Sequence, residues 1–158
     1  MEVKIGVFLK EINSSDILCI DTSILIYHLE EIKPYDELTR LLIEKIAGGH
    51  FLCNISTLTI TELFTKTYRL KDYDKVALFE EFISSLPNTR IQPIDYEISK
   101  FAASLRADYN LRTPDSIILS TAFITKSRHF VTNDTALKKV KLEGLKVLVL
   151  DEYLEEPS

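Results

Sequence analysis

Cysteine is nearly absent from this sequence, and no two cysteines are spaced to share a metal. Cys19 and Cys53 stand alone, with no CxxC pair, and both fall in apolar runs that predict buried strands. They read as reduced core thiols, which excludes a disulfide scaffold and a thiolate zinc site. Histidine is almost as scarce: His28, His50 and His129 are scattered, and none has zinc-ligand spacing. No apolar run approaches the roughly 20 residues of a membrane span, so no membrane association is expected. Met1 to Asn13 mixes charged and apolar residues without a small-residue cleavage site. A signal peptide is therefore not expected, and the expected compartment is cytoplasmic. Repeats, low-complexity tracts and linkers are missing as well. A basic excess is also lacking: the formal net charge is −5. That argues against a surface that is basic throughout for nucleic acid, but leaves room for a local basic patch and suits a basic partner.

What is present is a chain of 158 residues, 46% of them apolar, which is the size and composition of one folded domain with a sizeable core. Five short apolar runs predict strands: 17–20, Phe51 to Ile55, Arg90 to Ile94, His129 to Thr132 and Leu145 to Leu150. Between them lie stripes at helical spacing, such as Leu38, Leu41, Leu42 and Ile46, ended by Gly48-Gly49. Ser56 predicts an N-cap for a helix running to about Leu70, with Ile60, Leu63, Phe64 and Thr67 inward. Val76, Phe79, Phe82, Ile83 and Leu86 form a further stripe, ended by Pro87, and Ile98, Phe101, Ala102 and Leu105 another. Thr113-Pro114-Asp115 is a helix start, with a capping hydroxyl and then proline, and Ser116 to Thr125 is apolar nearly all round, so that helix should be buried. Strands alternating with helices predict an α/β fold: a three-layer α/β/α sandwich around a mostly parallel five-stranded sheet, in one domain over residues 1–158. Residues 1–16 form an extension of open structure, since Val3, Ile5, Val7 and Leu9 alternate as in a strand while Val7, Phe8 and Ile12 make a helical stripe. The acidic tail 151–158 is expected to be frayed or peripheral.

The stretch Ile17 to Tyr27 organises the rest. An apolar strand delivers Asp21, then Thr22 and Ser23, then a second apolar run. Ligands of α/β folds bind outside the carboxyl ends of the strands, although Asp-Thr-Ser is also a good helix cap. Three more acids arrive at equivalent places: Glu62 early in the helix after the second strand, Asp115 at the start of the buried helix, and Asp134 after the fourth strand. Clustered carboxylates repel unless counter-charged, and a hard divalent cation with oxygen ligands supplies that charge. Each acid also has a plainer reading: Glu62 as an i,i+4 surface pair with Lys66, Asp115 and Asp134 as charges at helix starts.

The segments IDTSILIY, ISTLTITELF, LRTPDSIILSTA and HFVTND, in this order and at these separations, resemble the PIN-domain nucleases, and among them the VapC-like toxins of toxin–antitoxin pairs. The resemblance covers about Ile17 to Leu150 and departs mildly: Asn110 stands where glycine is frequent and Ser116 where alanine is usual. It implies a metal-dependent endoribonuclease that uses Mg²⁺ or Mn²⁺, with Asp21, Glu62, Asp115 and Asp134 as catalytic and metal-holding acids. It implies a supporting hydroxyl at Thr22 or Ser23, an RNA substrate, a cognate antitoxin and a homodimer. Asn133 would join Thr22 and Ser23 in orienting water or phosphate oxygens, and Arg112, beside Asp115, would contact RNA or form a salt bridge. Lys66, Arg69 and Lys71, like Lys138, Lys139 and Lys141, read as solvated basic faces. Two other readings compete. One is a PIN-fold nucleic-acid-binding module without catalysis, which the four acids disfavour. The other is an aspartyl-phosphate phosphatase, which wants a second aspartate where Ser23 stands.

Overall fold

A computed structural model describes residues 5–12 and 16–154 of the chain. Five strands, β1 (Ile17–Ile20), β2 (Leu52–Ser56), β3 (Thr89–Gln92), β4 (His129–Thr132) and β5 (Lys146–Val149), form one sheet in the order β3-β2-β1-β4-β5. Every pairing is parallel. All five strands therefore end on one edge, and β1 lies in the middle. The helices are α1 (Ile5–Lys10), α2 (Thr22–Leu29), α3 (Asp36–Ala47), α4 (Thr57–Arg69), α5 (Tyr73–Ser85), α6 (Tyr96–Tyr109) and α7 (Thr113–Ile124). Two 3-10 turns, Thr135–Lys139 and Leu150–Tyr153, follow β4 and β5.

Side chains of successive strand residues point to opposite faces, and this alternation builds the three layers. Leu18 and Ile20 of β1 join Val131 and Leu148 in a core with Phe8, Leu25, Leu42, Leu63 and Phe79, so α1 to α5 cover that face. Cys19, Phe130, Val147 and Val149 turn the other way, onto Leu105 of α6 and Ile118 and Leu119 of α7. Cys19 and Cys53 are free and buried, as expected of core thiols. α7 is enclosed on nearly every side, and its Ser120 Oγ donates to Ile98 O of α6 at 2.6 Å.

The cores of the predicted strands hold, but their ends move. Phe51, Ile94, Leu145 and Leu150 fall outside the ladder, and of the α4 residues expected inward Ile60 and Phe64 are only half-buried, Phe64 still packing against the core. Thr113 is not a cap: it is already helical, Arg112 holds the cap position, and Ser116 Oγ donates to Thr113 O at 2.7 Å. Asn110 ends α6 in the left-handed conformation at φ 54°, which asparagine tolerates where glycine would otherwise serve. Of the two readings of the N-terminal stretch, the helical one applies: Phe8 and Ile12 are buried, while Val7 is half exposed. The tail is not frayed as far as Leu154. Tyr153 is 6% exposed and meets the Phe8 ring edge-on, with centroids 5.0 Å apart. The remainder of that tail, and part of the N-terminal extension, lie outside the described residues.

Candidate active site

Asp21 leaves β1 at the carboxyl edge of the sheet, and its N–H donates to Val131 O at 2.9 Å. Its backbone is extended, and Oδ1 accepts from Thr22 N at 2.7 Å, so it does cap α2. The cap reading and the site reading are both satisfied, because a cap uses only one carboxylate oxygen. The other, Oδ2, accepts from Thr132 Oγ1 at 2.7 Å. Burial pushes this carboxyl up from an ordinary 3.8 to about 6. The bonds from Thr132 and Thr22 pull it down, and the negative charges of Glu62 and Asp115 push it up further.

Glu62 reaches the same place from the next strand. Ser56 ends β2 and caps α4 by accepting from Leu58 N at 3.1 Å, and Glu62 lies in the second turn of that helix. Its partner is not Lys66: Thr22 Oγ1 donates to Glu62 Oε1 at 2.7 Å and lies 3.2 Å from Thr59 Oγ1. Thr22 thus ties α4 to the start of α2, with its N–H on one acid and its hydroxyl on another.

Asp134 follows β4, the other neighbour of β1. Its Oδ1 accepts from Ala136 N at 3.0 Å, and its own N–H donates to Thr132 Oγ1 at 3.1 Å. Asn133 between them is fully engaged. Its amide nitrogen donates to Tyr27 OH at 3.1 Å and its carbonyl accepts from Asp151 N at 2.9 Å. That places it as a brace between α2 and the end of β5. Tyr27 stacks on Tyr35 at 4.3 Å, and Tyr35 OH donates to Asp151 Oδ1 at 2.6 Å.

Asp115 sits in the first turn of α7 and accepts from Arg112 Nε at 2.9 Å. The Asp115 side chain is 17% exposed and that of Arg112 is 77% exposed. The bond to Asp115 raises the Arg112 pKa, and the charges of Asp134 and Glu62 add to it, which puts the guanidinium within the field of three of the four acids.

The donor set is all oxygen, carboxylates and hydroxyls, which suits a hard divalent cation rather than zinc or copper. Ser23 Oγ, buried beside Asp21, has no hydrogen-bond partner. Among the described residues, no three His, Cys, Asp or Glu side chains are gathered closely enough to hold an ion as they stand. All four acids accept hydrogen bonds from the protein: Asp21 from Thr22 and Thr132, Glu62 from Thr22, Asp115 from Arg112 and Asp134 from Ala136. A 580 Å³ apolar groove lined by Ile60, Phe64, Tyr68, Val76, Ile83 and Ile91 includes none of the four acids. Thr132 is the organising residue that sequence reasoning missed. A hydroxyl directly after the apolar pair Phe130-Val131, two residues before an acid, was the available signal.

Several solved structures share this fold. DNA-bound VapBC from Salmonella typhimurium matches at TM-score 0.64 and 19% identity over 84% of this chain and 97% of that one. A toxin–antitoxin complex from Klebsiella pneumoniae matches at TM-score 0.60 and 23% identity over 82% and 95%. The VapC20 toxin of Mycobacterium tuberculosis, described as cleaving the sarcin–ricin loop, matches at TM-score 0.57 and 12% identity over 72% and 86%. No curated protein sequence matches. The PIN domain family model aligns with residues 18–143, from the second residue of β1 to just short of β5, and so takes in all four acids and the helices that carry them. With that span matched and the VapC-like architecture shared, the chain belongs to the PIN domain family.

Proposed function

We propose that this protein is a divalent-metal-dependent endoribonuclease and the toxin of a toxin–antitoxin pair. The observation that carries the proposal is the placement of Asp21. It is a carboxylate raised to about 6 by burial, at the carboxyl edge of a parallel sheet, with two further acids acting on it. Capping α2 and accepting from Thr132 do not offset the burial of its charge, and a cation would.

In this reading Asp21, Glu62, Asp115 and Asp134 hold Mg²⁺ or Mn²⁺. The ion, when bound, supplies Lewis-acid activation of a water and charge stabilisation at the attacked phosphodiester. The chain's own residues do the rest. Thr132 fixes the Asp21 carboxylate against β4, and Thr22 fixes Glu62 against α2. Ser23 Oγ, buried and without a partner, is available to a water or phosphate oxygen. Asn133 acts at one remove, by bracing the loop that carries Asp134.

An antitoxin partner is supported by the toxin–antitoxin complexes that share this fold. The net charge of −5 and the apolar groove beside α4 suit a partner with basic residues and an apolar helix. A homodimer and a cytoplasmic location belong to the same proposal. No described helix is long and apolar enough to cross a membrane. The deciding experiment is cleavage of structured RNA with Mg²⁺, with Mn²⁺ and with EDTA, by wild type and by Asp21→Asn. RNA binding without cleavage in any metal would instead favour the non-catalytic module.

A further inference from the structure

Arg112 holds an unusual position. Among the described residues it is the one cation that ion-pairs with any of the four acids. It is anchored by its backbone at the cap of α7 (φ −66°, ψ 152°), where its side chain makes no cap bond. The side chain is therefore free to reach forward over the first turn to Asp115, three residues on. That carboxylate is largely shielded and the guanidinium largely exposed. An exposed pair of this kind is weak and exchanges readily, because water competes for both partners. A divalent ion brings twice the charge to the same oxygen.

We propose that Arg112 is an exchangeable counter-charge at the acid edge. It holds Asp115 while no divalent ion is present, and it is released when one arrives, its guanidinium then turned toward the incoming RNA phosphate. The inference rests on the nuclease reading above. It accounts for the pairing of a largely shielded carboxylate with a largely exposed guanidinium. It also makes the two sequence readings of Arg112, salt bridge and RNA contact, successive states of one side chain. Arginine suits the second state because its planar fork matches a phosphate in two places. Lysine would keep the charge and lose the fork.

The test is a Mg²⁺ titration of isotope-labelled protein, following the Arg112 Nε–H resonance, which is assigned by its loss in Arg112→Lys. The backbone amides of Thr22 and Asp134 report metal binding independently. The expected result is that the Nε–H signal leaves its hydrogen-bonded position with the same midpoint as those amides. Arg112→Gln should bind Mg²⁺ about two- to fivefold more tightly, since a weak competitor has gone. Lys66→Gln removes the same charge one helical turn from Glu62, where no acid is paired to it, and should change affinity less. Amides that move while the Nε–H stays in place would overturn the exchange and leave the nuclease reading standing. Equal tightening in Lys66→Gln and Arg112→Gln would reduce the effect to net charge and overturn it likewise. Amides that do not move at tens of millimolar Mg²⁺ would overturn both.

Discussion

Thr132 Oγ1 gives its only proton to Asp21 Oδ2 at 2.7 Å while accepting the N–H of Asp134 at 3.1 Å. One buried hydroxyl thus sets the relation between two acids that lie more than a hundred residues apart in the chain. Thr132→Val keeps the shape and removes both bonds. It should destabilise the protein by about 1–3 kcal/mol, because the partners are left unsatisfied. The loss should be smaller near pH 4.5, where a protonated Asp21 no longer needs a donor, and larger near pH 8. Thr132→Ser should recover most of it. Denaturant unfolding at the two pH values measures this, and a loss independent of pH would point to packing alone.

The raised pKa of Asp21 fixes the sign of a second experiment. A carboxyl ordinarily at 3.8 and held at about 6 means that the native state binds more protons than the unfolded chain. The stability it contributes is fully present below the unfolded pKa and is lost as pH rises through the folded one. Above pH 6 the metal-free fold carries that burden. Asp21→Asn removes the charge at nearly constant volume; its oxygen still accepts from Thr22 N, and its amide can donate to Thr132. It should raise stability at pH 7.5 by about 1–3 kcal/mol, after allowing for partial screening, and by little at pH 4. A melting temperature clearly below wild type in EDTA at pH 7.5 would mean that the charged carboxylate supports the fold.

The third expectation concerns metal. Cleavage should vanish in EDTA, return with Mg²⁺ or Mn²⁺, and fall by on the order of a hundredfold or more in Asp21→Asn and Asp115→Asn. Mg²⁺ should raise the melting temperature of wild type more than that of Asp21→Asn, because an ion that binds only the native state shifts the equilibrium by mass action. Cleavage undiminished in EDTA would refute the mechanism.

The N-terminal helix offers a fourth. Phe8 is fully buried and lies against Tyr153. Phe8→Ala should cost about 3–5 kcal/mol, as a core aromatic does. A cost below about 1 kcal/mol would show that α1 is appended to the domain rather than built into it.

The fifth concerns association. Sedimentation at tens of micromolar should show a dimer, and a single monomeric species at that concentration would count against it.

Much of this was legible in advance, for a reason that can be located. β1 and β4 are buried along almost their whole length, and the apolar runs Ile17 to Ile20 and Phe130-Val131 mark them in the sequence; both strands occupy the predicted positions. β3 is half exposed, its pattern is mixed, and its predicted end overshot to Ile94. Asp21 and Asp134 could be named because each follows a strand, Asp115 because it opens a helix, and Glu62 because it comes early in the helix after β2. Their partners could not. That Thr22 rather than Lys66 would hold Glu62 depends on the angle at which α4 leaves β2, which no local pattern encodes. Asn133, expected to orient water or phosphate oxygens, instead turns its side chain back to Tyr27. Tyr153 looked peripheral within an acidic tail, and Phe8, which covers it, lies almost the whole chain away.

β1 is paired along both sides, and the Asp21 N–H closes onto Val131 at the end of that ladder. Amides so placed exchange with solvent only when the sheet itself opens. Asp115 instead hangs from the first turn of a helix, held by an exposed guanidinium. The two halves of the site therefore keep different clocks: in deuterated water the Asp21 amide should label on the timescale of global unfolding, and the opening turn of α7 long before it.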